Sequence, residues 1–168
     1  MFDLINGLPI HPLVVHAVVV LLPIAAIGTI AISVRPDWRR RYGVLVVAAA
    51  ALSTVLTPVA TSSGEALEQH VGNPGEHAEL GDQLIWFEIP LLLLVVALVW
   101  FDRRHRAAGA TTDAKAVSPT AVKVVAALAV VAALATSVQV YRVGDSGARA
   151  AWGDQVSSSS SAGDGDAD

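Results

Sequence analysis

Residues 13–41 read LVVHAVVVLLPIAAIGTIAISVRPDWRRR. From Leu13 to Val34 this stretch holds no Asp, Glu, Lys or Arg, and the basic residues Arg35, Arg39, Arg40 and Arg41 follow at once. About 20 apolar residues in a helix cross the roughly 30 Å hydrocarbon layer of a bilayer. The stretch therefore reads as a membrane span that ends at a basic cluster. Val44–Ser62, Leu84–Phe101 and Ala121–Val143 have the same character. Composition agrees: 54% of the 168 residues are hydrophobic and 15% charged, against about 25% charged in soluble domains. Mean hydropathy is +0.56. The expected fold class is all-α, an integral membrane four-helix bundle over residues 1–155. Residues 156–168 are expected to form a disordered acidic tail rich in Ser, Gly and Asp. No Lys or Arg precedes the first span, and it is longer than the apolar core of a cleavable signal peptide, so it reads as a retained helix.

Charge sets the expected orientation. Nine of the eleven basic residues flank the connections between spans one and two and between spans three and four. The segment Ser63–Gln83 carries Glu65, Glu68, Glu76, Glu79 and Asp82 and no basic residue. The positive-inside rule then places both termini and an acidic loop outside, with the chain multi-pass in the cytoplasmic (inner) membrane and the lipid bilayer as its first partner. Trp38, Tyr42, Trp86, Trp100 and Tyr141 fall at span ends, as interfacial anchors do.

Several classes are excluded. Without cysteine there is no disulfide, thiolate metal site or covalently attached haem. A net charge of −4 and the lack of a basic patch interleaved with aromatics argue against nucleic acid. No nucleophile elbow, phosphate-binding loop, zinc-protease or dinucleotide motif occurs, which favours a non-catalytic electron-transfer or binding subunit over an enzyme. No internal repeat is apparent between the two helical hairpins. Small residues in span four ("AALAVVAALATS", 126–137) predict close helix packing, within this chain or in a homodimer.

The polar residues in and near the spans are the candidate functional ones. Pro12 suits the first helical position, which puts His11 at the N-cap and His16 deeper. His70 and His77 fall in the acidic outer segment, whereas His105 sits in a basic run. Thr54, Thr57, Thr61 and Glu65 share one helical face. Glu88 lies within an apolar span, so it should face the bundle interior and have a partner there. His77, Gly81, Leu84 and Glu88 would line one face if 75–90 were a single helix. Neutral imidazoles ligate iron, copper and zinc. His11, His16, His70 and His77 are therefore the candidate cofactor or metal ligands, with Glu88, Glu65, Thr61 and Asp145 as outer-sphere partners.

"HPLVVH" (11–16) resembles the HPxxVH opening of an uncharacterised bacterial membrane family, the domain of unknown function numbered 2231. "SSGEALEQHVGNPGEHAELG" (62–81) is similar to that family's Gly-rich, His-containing stretch after the second helix. "YRVGDSGARAAWG" (141–153) is similar to its GHSG-like motif after the fourth. The resemblance implies four membrane helices and redox partners of the Rieske or cytochrome kind. It also marks Asp145 as a departure, since the family often has histidine there. If that histidine is an axial haem ligand, the ligand in this chain is His16, His70 or His77. Three readings follow: a redox subunit holding haem b near the outer face, an external copper, zinc or iron site or ion relay, and a structural membrane protein that docks a partner.

Overall fold

The structure is a computed structural model that describes the backbone of residues 4–5, 8–72, 75–110 and 118–161, and side-chain surroundings for 11–68, 72, 75–107 and 118–152. A short antiparallel pair, β1 (Leu4–Ile5) and β2 (Leu8–Pro9), precedes the helices. The helices are α1 (Ile10–Val34), α2 (Pro36–Val71), α3 (Glu76–Gln83), α4 (Ile85–Ala110) and α5 (Pro119–Ser161). Four stretches, His11–Val34, Pro36–Glu68, Glu76–Ala107 and Pro119–Trp152, are long and apolar enough to cross a membrane. The all-α membrane class is therefore the observed one.

The helices are longer than the expected spans. At 1.5 Å per residue the 36 residues of α2 extend about 54 Å, well beyond the hydrocarbon layer. Residues 63–71, expected in a loop, continue α2, and most of the remaining acidic segment is α3. Gly72 ends α2: its φ of 90° is open to glycine without strain, and its N–H donates to Glu68 O at 2.9 Å. Leu84 keeps helical angles between α3 and α4, and its N–H reaches back to Gly81 O at 3.1 Å. The two helices thus form one rod with a single tightened turn. α5 runs to Ser161, so 156–161 have helical backbone where a disordered tail was expected, and 162–168 lie outside the described residues.

Packing is cyclic: α1 lies against α2 and α5, α4 lies against α2 and α5, and α1 and α4 face one another diagonally. Inside, small residues such as Ala25, Ala50, Ala129 and Ala133 let the helices approach. Outside, Val20, Ile27, Leu45, Val55, Leu93, Val131 and Leu134 are all exposed, which suits a lipid-facing surface.

The buried positions show a repeat that the sequence hides. At one constant offset, Val18, Leu22, Ala25, Thr29 and Ile32 of α1 match Leu84, Glu88, Leu91, Val95 and Leu98 of the α3–α4 rod. At another, Val46, Ala50 and Ser53 of α2 match Ala129, Ala133 and Thr136 of α5. The chain is two copies of one helical hairpin, contrary to the expectation of no repeat. Burial is retained between the copies while residue identity is not, so the similarity escapes direct reading.

Gly43 marks the α2–α4 approach, where an added Cβ would lie 2.9 Å from Val99 Cγ2. Gly43→Val is expected to cost about 1–3 kcal/mol through overpacking. Gly81→Ala, whose Cβ meets nothing within 4 Å, should be neutral or gain up to about 1 kcal/mol. Detergent-denaturation curves followed by circular dichroism would compare them.

Candidate functional site

One end of the bundle carries His11, His16 and His77, and His105 lies at the other. His11, in the first turn of α1, places Nδ1 2.9 Å from Ala60 O and 3.2 Å from Ser63 Oγ. Ser63 Oγ itself donates to Ala60 O at 2.9 Å. His77, at the start of α3, places Nδ1 3.1 Å from Val143 O and 3.3 Å from Ser146 Oγ. Ser146 Oγ donates to Val143 O at 3.0 Å. The two clasps occupy matching places in the two hairpin copies. Each ring also lies against a glycine: an added Cβ at Gly64 or at Gly147 would sit 3.0 Å from the imidazole Cε1.

The clasp fixes the tautomer. A backbone carbonyl only accepts, so Nδ1 must carry the proton, and the neutral ring keeps its lone pair on Nε2. His16 behaves alike, with Nδ1 bonded to Pro12 O of its own helix, but its side chain is exposed. The side chain of His70 lies outside the described residues. Beside His77, an open groove of about 160 Å³ is lined by Glu76, Leu80, Arg142, Asp145, Ser146 and Arg149. Asp145 is ion-paired there with Arg149 at 2.8 Å.

Deeper in the bundle, Glu88 is 1% exposed and faces inward as expected. Its Oε1 accepts from Ser53 Oγ at 3.0 Å and lies 2.9 Å from Thr57 Oγ1, while Oε2 has no partner among the described residues. Insertion of an acidic side chain at such a site costs about 3 kcal/mol, which explains why α2 supplies two hydroxyls to it. Glu88 stands about 16 Å along the rod from His77, a separation that rules out direct contact with the clasps. Of the hydroxyl face, Thr57 reaches Glu88, whereas Thr54 and Thr61 bond to Ala50 O and Pro58 O of their own helix. Glu65 is exposed on α2. Among the described residues no three His, Asp or Glu side chains form a group able to hold a metal ion.

The profile of the family described as "Predicted membrane protein (DUF2231)" matches residues 7–160. The chain belongs to this family. No curated protein and no solved structure matches this DUF2231 chain.

The sequence reading missed three features of this family member. Ser53 is the second hydroxyl on Glu88, one residue off the threonine face. Both clasps end in Ser-Gly ("SSG" at 62–64, "DSG" at 145–147), a recurrence that would have signalled them. Arg39, read only as a topological charge, is buried. It donates from Nε to Ile32 O at 2.9 Å, from Nη2 to Ser33 O at 3.0 Å and from Nη1 to Asp102 Oδ1 at 3.3 Å. It thereby satisfies open carbonyls at the end of α1.

Gly64→Ala and Gly147→Ala should each push the adjacent ring off its carbonyl. The expected loss is about 1 kcal/mol of stability per clasp, together with the low-field Nδ1–H proton resonance of that histidine.

Proposed function

We propose that this DUF2231 member is a membrane redox subunit that binds haem b at its histidine-bearing end. The observation that carries the reading is the pair of clasps. Each holds an imidazole at its Nδ1 and leaves the Nε2 lone pair open, the form in which histidine ligates iron. The donor set fits the group: haem iron takes its equatorial nitrogens from the porphyrin and asks the protein for only one or two axial ligands. His11 and His77 are the ligands proposed first, with His16 and His70 as the other imidazoles of that end. Haem, when bound, supplies one-electron chemistry. The protein's own part is to fix tautomer and ring direction through Ala60 and Val143. Partners of the Rieske or cytochrome kind would exchange the electron.

The bundle is proposed to lie in the inner membrane with the histidine end outside, because the opposite end carries Arg35, Arg39–Arg41 and Arg103–Arg106. A cysteine-free chain makes this simple to check. A cysteine replacing Glu65 should react with an impermeant maleimide on intact cells, whereas one replacing Arg103 should not.

Spectra of the detergent-purified protein, oxidised and then dithionite-reduced, test the cofactor. A Soret band that moves on reduction is expected, and it should be lost in His77→Ala or His11→Ala and kept in His105→Ala. Bound copper, zinc or iron without a Soret band would favour an ion site instead. A protein that takes up neither after reconstitution would leave the clasps as structural ties between helices.

A further inference from the structure

The buried acid in the second hairpin stands apart from the histidine end, and the cofactor reading makes no use of it. We infer that Glu88, with Ser53 and Thr57, forms an intramembrane site that binds and releases a proton.

The hydroxyl geometry supports both protonation states. Thr57 Oγ1 has one proton and two acceptors in reach, Glu88 Oε1 at 2.9 Å and Ser53 O at 3.1 Å. Against an ionised Glu88, Ser53 and Thr57 both donate to Oε1. When Glu88 is protonated, its own hydroxyl donates to Thr57 Oγ1, and the Thr57 proton turns to Ser53 O. A rotation of one hydroxyl therefore converts one state into the other without moving a helix. The second oxygen, Oε2, is buried without a partner among the described residues, which is unusual for an ionised carboxylate and suits an acid that takes up a proton.

The surroundings isolate the acid from other charges. Leu80, Leu84 and Glu88 recur every fourth residue on the buried face of the rod, and Leu80 also lines the outer groove. Gln139 Nε2 donates to Leu80 O at 3.1 Å, and Thr136 Oγ1 lies 3.2 Å from Phe87 O, so the nearby polar groups of α5 bond to carbonyls of the rod and not to the acid. Buried apolar side chains pack on both sides of the acid, Val18, Ala60 and Leu84 toward the histidine end and Ala25, Val95, Leu98 and Ala129 toward the other. The first charged or imidazole groups met toward the histidine end are His16 on α1, Glu65 on α2, Asp82 on α3 and Arg142 on α5. Toward the other end stands the Arg39–Asp102 pair, about 21 Å of helix away. The groups bonded to Glu88 are hydroxyls, not charges, so the proton itself decides the charge of the site.

Infrared difference spectra of the full-length protein in lipid, recorded between acid and alkaline buffer, test this directly. The carbonyl stretch of a protonated carboxylic acid should appear on acidification, disappear on return, and be missing in Glu88→Gln. Thr57→Ala should keep the band and shift it, which assigns the band even if the Glu88 variant folds poorly. A band that stays at every pH, or none at any pH, overturns the proposal. Loss of the band on adding sodium at fixed pH would also overturn it, in favour of an alkali-cation site.

Discussion

Hydrocarbon offers no hydrogen bonds, so every polar group carried into it must find its partner within the protein. That constraint organises this bundle. It drives the backbone into helices and makes Thr54, Thr136 and Ser137 bond to carbonyls one turn back on their own helices. It also accounts for the two hydroxyls that α2 turns toward Glu88 and for the two bonds by which Arg39 closes the end of α1. The stability of the interior rests on small-residue packing, with these polar contacts fixing which helices meet and at what depth.

The four spans were legible because length and apolarity alone define them. Leu13–Val34 coincides with α1 to within a few residues for that reason. The inward direction of Glu88 was legible too, since a carboxylate facing lipid would be costly. What the sequence concealed lies where polarity no longer tracks the membrane boundary. Residues 63–71 are polar and yet helical, because α2 has neighbours to pack on beyond the bilayer. The repeat stayed hidden because it is written in burial and spacing. Leu22 and Glu88 share a position while differing in every chemical respect, and Ser53 and Thr136 keep only a hydroxyl. Arg39 was misread because a basic residue near a span end is usually a topological marker, and its burial depends on Asp102, which is distant in sequence.

The two histidine clasps show how one arrangement serves two ends. Each ties the start of one helix to a backbone carbonyl of its hairpin partner, Ala60 of α2 or Val143 of α5, which holds the hairpin closed. The same bond orients the ring and selects which nitrogen keeps its lone pair. On the proposed reading, a ligand placed this way would be preorganised, since the fold already fixes the imidazole.

The two hairpins are joined at their turns very differently. Arg35 alone connects α1 to α2, and its N–H bonds to Ala31 O at 3.1 Å. Residues 111–118 connect α4 to α5. Glu88 of the second hairpin is bonded to Ser53 and Thr57 of the first, so any sliding of α4 against α2 has to stretch those two bonds first.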